Sequence, residues 1–164
     1  MIKSVKPIFV VLVFSSFISF SFTENNKTTE KLVPGDKAPV LVLENEMQKL
    51  DLQPEEGNYT LLSFWAGYDA LSRMNNVELC HAIENHDRIK MISVSMDKHE
   101  SIFKAAIRQD ALNPEYCFNE TGGKHSEIFK EYDLKKGFAN YLIDSRGMIL
   151  AKNVSVDDLK MYIK

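Results

Sequence analysis

The stretch Tyr59-Thr60-Leu61-Leu62-Ser63-Phe64-Trp65-Ala66 decides the fold, together with Gly67-Tyr68-Asp69-Ala70-Leu71-Ser72-Arg73 after it. Its first half is a near-continuous β-prone run, the pattern of a strand buried on both faces. The glycine and the polar residues that follow break the run. Asp69 then stands where a helix N-cap belongs, because its carboxylate can accept from backbone N–H groups and faces the positive end of the helix dipole. A helix is expected from Asp69 to about Asn85. Ala70, Met74 and Val77 share one face of it, with Cys80 on the flank.

Working outward, the same alternation repeats. Pro34 to Pro39 is a turn-rich opening, and Val40 to Leu43 is a short strand with Lys49 to Leu52 as a pairing partner. Ile89 to Met96 is the next long strand, followed by a helix from His99 to Ala111 that stops near Asn113-Pro114. Tyr116 to Phe118 is extended, and Gly122-Gly123 opens a helix through about Tyr132. Asn140 to Ile143 and Met148 to Lys152 are strands joined by the turn Asp144-Ser145-Arg146-Gly147. Val156 to Ile163 closes the chain as a helix, with Ser155 or Asp157 near its cap. Strands alternating with helices and ending in a hairpin make an α/β sandwich.

The chain has 164 residues, the size of one ordinary domain, and 45% of them are hydrophobic, enough for a core. Residues 1–23 do not belong to that core. Lys3 and Lys6 precede an uncharged stretch from Pro7 to Thr23, with small residues at Ser19, Ser21 and Thr23. This is the pattern of a secretory signal, with an uncleaved N-terminal anchor as the alternative. Residues 24–33 read as a polar linker and 34–164 as the domain. The whole chain carries 20 basic and 23 acidic groups; without Lys3 and Lys6, 18 basic groups remain and the net charge is −5. That balance excludes the basic face nucleic-acid binding wants.

The order of motifs resembles the thioredoxin-like thiol-disulfide oxidoreductases of the TlpA/ResA type, related to the AhpC/TSA redoxins. Gly35-Asp36-Lys37-Ala38-Pro39, then Phe64-Trp65-Ala66, Arg73, Val94-Ser95-Met96-Asp97, Tyr132-Asp133-Leu134 and Tyr141-Leu142-Ile143-Asp144 with Gly147 carry the resemblance. It implies a three-layer sandwich with a central mixed sheet and helices on both faces. It also implies a C-x-x-C motif at the start of the first long helix, whose N-terminus lowers the thiol pKa and makes the first cysteine a nucleophile. Here those positions are Asp69-Ala70-Leu71-Ser72, without sulfur. The family's cis-proline position is Phe138, where a trans bond is expected. The resemblance therefore implies a degenerate site with no expected catalytic residue, no cofactor and no metal.

Cys80 and Cys117 are the only thiols, and either form a relocated redox pair or are two buried, unreactive side chains. His81, His86, His99 and His125 show no ligand spacing. Gly122-Gly123-Lys124 lacks the full phosphate-loop pattern. Asn26, Asn58, Asn119 and Asn153 begin sequons that matter only in a eukaryotic secretory pathway. By the resemblance, Trp65, Tyr68 and Phe138 surround the former active site. Exposed together with Asp69, they would bind a protein or peptide in the cell envelope; otherwise Trp65 and Phe138 fill space. The alternatives are a thiol-disulfide oxidoreductase using Cys80 and Cys117, and a structural domain tethered to the membrane by an uncleaved N-terminal segment.

Overall fold

The computed structural model describes residues 32–43 and 48–162. Residues 1–23, where the sequence suggests a secretory signal or anchor, and Asn26 lie outside them. A short hairpin comes first, β1 (Leu41–Leu43) against β2 (Gln48–Leu50). The main sheet follows: β3 (Tyr59–Trp65), β4 (Ile89–Ser95), β5 (Cys117–Asn119), β6 (Asn140–Ile143) and β7 (Ile149–Lys152). Between and after the strands run α1 (Ala70–Ile83), α2 (Glu100–Gln109), α3 (Glu127–Glu131) and α4 (Val156–Leu159).

The sheet order is β5-β4-β3-β6-β7. β3 and β4 are parallel with Tyr59 opposite Ile89 and Trp65 opposite Ser95. β6 and β7 run antiparallel, so the sheet is mixed. Strand alternation sorts the core into two layers. Leu62, Phe64, Ile92, Val94 and Tyr141 meet Ile128 and Phe129 of α3 and the β1–β2 hairpin. Leu61, Met91 and Leu142 meet Leu79 and Ile83 of α1 and Leu159 of α4 on the other face. Trp65 meets Ala106 and Ile107 of α2 on that second face. The expected sandwich, with helices on both faces, is thus present.

The opening segment is held down by backbone bonds to the last hairpin, with Gly35 N donating to Ile149 O at 2.8 Å and Ala38 N to Gly147 O at 2.9 Å. Tyr132 Oη donates to Pro39 O at 2.8 Å from the α3 side. Arg73 ties α1 to the end of α2 through two bonds to Asp110, at 2.7 and 2.8 Å. Among the described residues no helix is long and apolar enough to cross a membrane.

Three local expectations are corrected. The buried positions of α1 are Ser72, Asn76, Leu79 and Ile83, while Ala70 and Met74 face solvent. Polar residues occupy that face because a polar partner waits beneath it: Ser93 Oγ donates to Asn76 Oδ1 at 2.9 Å. A reading by apolar periodicity selects the wrong face in such a case. The helix expected from Gly122 is two pieces, a 3-10 turn at Gly123–His125 and then α3. Ser126 separates them, its Oγ capping α3 by accepting from Phe129 N. The last helix ends at Leu159, short of Ile163, which lies outside the described residues. Its start is as expected, with a reciprocal capping box between Ser155 and Asp158.

Candidate functional site

The N-terminus of α1 sits where β3 ends. Ala66 to Asp69 form the connecting turn, in which Asp69 N donates to Ala66 O at 3.0 Å. The Asp69 carboxylate caps the helix as the sequence predicts, accepting from Ser72 N at 2.9 Å. Ser72 Oγ is also occupied: it donates to Asp69 O at 3.1 Å and accepts from Ala66 N at 3.4 Å. Asp69 and Ser72, where the resemblance implies sulfur, are both built into a capped helix end.

The turn is anchored from below. Gly67 N donates to Asp97 Oδ2 at 2.8 Å, and Ser95 Oγ donates to the same oxygen at 2.7 Å. Asp97 is buried at the end of β4. A side chain at Gly67 would bring its Cβ to 3.0 Å from Ile102 and 3.2 Å from the Asp97 carboxylate, so those two side chains would have to give by a few tenths of an ångström to admit it. In the sequence Asp97 ends the motif Val94-Ser95-Met96-Asp97, and no local pattern marks it as the anchor of this turn. The only available signal was an acidic residue directly after a strand buried on both faces.

The aromatic residues part company here. Tyr68 is 60% exposed, and its ring lies 6.2 Å from that of Phe138, which is half-buried. Lys124 Nζ stands 5.7 Å from the Tyr68 ring centroid, a cation–π contact. Burial first, then the carboxylates of Asp97 and Asp69, push the Tyr68 phenol above its ordinary pKa, so it stays neutral. Leu71 is exposed beside it, and Ile102 is exposed across Gly67.

Trp65 does not belong to this surface. It is 0% exposed, and its side chain lies under α2 among Phe103, Ala106 and Ile107. Its indole N–H donates to Ser93 Oγ at 2.8 Å. The last residue of β3 points to the face that α2 covers, and that alternation overrides its nearness in sequence to the turn.

A groove of about 530 Å³ continues from Ser72 and Phe138 between α1 and the segment before α4. Asn75 and Glu78 line one wall, and Asn153 and Ser155 the other. The peptide bond before Phe138 is trans, as is every other peptide bond among the described residues.

Solved structures provide the comparison. A thioredoxin-like protein from Parabacteroides distasonis is 42% identical, with a TM-score of 0.74, over 80% of this chain and 94% of that one. The chain belongs to the thioredoxin-like family. The C-terminal domain of a thiol-disulfide oxidoreductase from Bacteroides thetaiotaomicron is 30% identical, with a TM-score of 0.66, over 81% of this chain and 95% of that one. A thiol:disulfide interchange protein DsbE from Chlorobium tepidum shares the fold at 20% identity and a TM-score of 0.60, over 80% of this chain and 96% of that one. No protein-family model and no curated protein sequence matches the chain.

In this thioredoxin-like protein both thiols lie away from the helix start. Cys80 is half-buried on α1 and Cys117 buried on β5, and both are free. Burial pushes the Cys80 thiol up to about 12 and the Cys117 thiol up to about 11. His81 lies more than two turns from Ser72 along α1 and pairs with Glu84 at 3.6 Å, so no base serves the Ser72 hydroxyl from there. The α1 N-terminus combines an exposed Tyr68, a capped backbone and a groove lined by Ser72, Asn75, Phe138 and Asn153.

Proposed function

We propose that the protein is an exported thioredoxin-like binding module whose former active-site face holds an extended peptide or protein segment without dithiol chemistry. The observation that carries this reading is the contact of the exposed Tyr68 with the half-buried Phe138, beside a helix start that Asp69 already caps. Leu71 extends the apolar surface, and the groove beside Ser72 and Phe138 gives a bound chain somewhere to run. Aromatic anchors in such positions dominate binding energy, typically at 2 kcal/mol or more each.

A library of random decapeptides, screened as an array and followed by fluorescence anisotropy, tests this reading. Peptides bound by the native chain should lose about 30-fold in affinity to Tyr68→Ala or Phe138→Ala, with circular dichroism unchanged. Binding indifferent to both substitutions would place the ligand elsewhere. Insulin reduction should not exceed that of a cysteine-free control.

Export has its own test. Expressed from its full sequence in a bacterial host, the protein should fractionate with the envelope. N-terminal sequencing should begin just after Ser21 or Thr23. An intact N-terminus on a membrane-bound product would make residues 1–23 an anchor instead. A cytoplasmic product would overturn export.

A further inference from the structure

The chain's two thiols converge on a cavity at the far end of α1 from Asp69. Hydrogen bonding fixes α1 over β4 where Asn76 meets Ser93 at 2.9 Å. Cys80 lies one turn further along the same helix flank. Cys117 is the register partner of Ser93 on β5. The two residues therefore reach one cluster and one cavity from two elements. Both belong to the Trp65 cluster, and both line a cavity of about 300 Å³.

We propose that Cys80 and Cys117 form a second thiol site, separate from the α1 N-terminus, that reacts with a small-molecule disulfide entering this cavity and closes to an intramolecular disulfide. The inference stands apart from the peptide-binding reading. The half-buried Cys80 loses its proton and attacks one sulfur of R–S–S–R. The Cys80–S–S–R bond forms, and one thiolate leaves to take up a proton. Cys117 then loses its proton and attacks the Cys80 sulfur, releasing the second thiol. The protein dithiol is oxidised by two electrons and the small disulfide is reduced to two thiols.

The surroundings set the rate. His81, Glu84, His86 and Asp87 line the cavity from α1 and the turn after it, Lys90 from β4 and Tyr116 from the approach to β5. Burial and the Glu84 carboxylate oppose a thiolate at Cys80, so at neutral pH only a small fraction is ionised. Closure should therefore be slow at pH 7 and accelerate roughly tenfold per pH unit up to about pH 10, where a helix-start thiol would already have levelled off.

The test uses the reduced full chain with excess oxidised glutathione as the probe, read by intact mass and peptide mapping. The expected product has lost two hydrogens and carries a Cys80–Cys117 cross-link, with altered Trp65 emission from the shared cluster. Cys117→Ser should stop at one glutathione on Cys80. Three outcomes would overturn the inference: both thiols still free in the folded protein, glutathione on each without closure, or a disulfide only between chains. The mass of the native chain decides this even if the variant folds poorly.

Discussion

Trp65→Ala should destabilise the protein by about 3–5 kcal/mol, the usual cost of truncating a buried aromatic to alanine. The side chain has no exposed surface, and removing it hollows the contact between β3 and α2. Ser93 also loses the indole N–H that donates to it at 2.8 Å. Against a domain stability of roughly 5–15 kcal/mol, that is a large share. Urea unfolding followed by circular dichroism measures it. Trp65→Phe should recover most of the loss, retaining the ring and giving up chiefly the hydrogen bond, about 1 kcal/mol. A change within about 0.5 kcal/mol for Trp65→Ala would instead be the behaviour of a surface residue and would contradict the packing described.

The second large effect is a gain. Asp69→Cys combined with Ser72→Cys, in a Cys80→Ser and Cys117→Ser background, should convert the α1 start into a redox site. The peptide dipoles that now stabilise the Asp69 carboxylate would stabilise a thiolate in the same place. Its pKa should fall clearly below the ordinary 8.5 or so, as absorbance of the thiolate against pH would show. The two sulfurs, one turn apart, should close to a disulfide with oxidised glutathione, and insulin reduction should rise at least tenfold above the native chain. The helix loses its carboxylate cap, about 1 kcal/mol, which the thiolate partly offsets. An unshifted thiol and unchanged insulin reduction would mean that more than the sulfurs separates this site from a working one. Phe138, with its trans peptide bond, would be the first place to look.

Much of this was legible without coordinates. The run from Tyr59 to Trp65 is a strand because its residues are β-prone and apolar together. Asp69 caps α1 because a short carboxylate before a helical run has one favourable place to go. Ser155 is legible for the same reason. These are local effects, decided within a few residues. The inward face of α1 was not legible, since Ser72 and Asn76 are buried against Ser93, a residue on a different strand. Nor was Asp97 as the anchor of Gly67, a hydrogen bond across thirty residues of sequence.

Fold class, element order and the lack of sulfur at the start of α1 can be read along the chain. Each follows from periodicity, capping or identity at a position, properties that a chain carries along its length. Which aromatic is surface and which is core, and whether two distant thiols share a cavity, emerges with the packed fold. Trp65 and Tyr68 are three residues apart, yet one lies under α2 and the other stands in solvent. Cys80 and Cys117 are far apart in the chain, yet line one cavity. Burial and proximity depend on what packs across the sheet, and that is set by neighbours the local pattern does not contain.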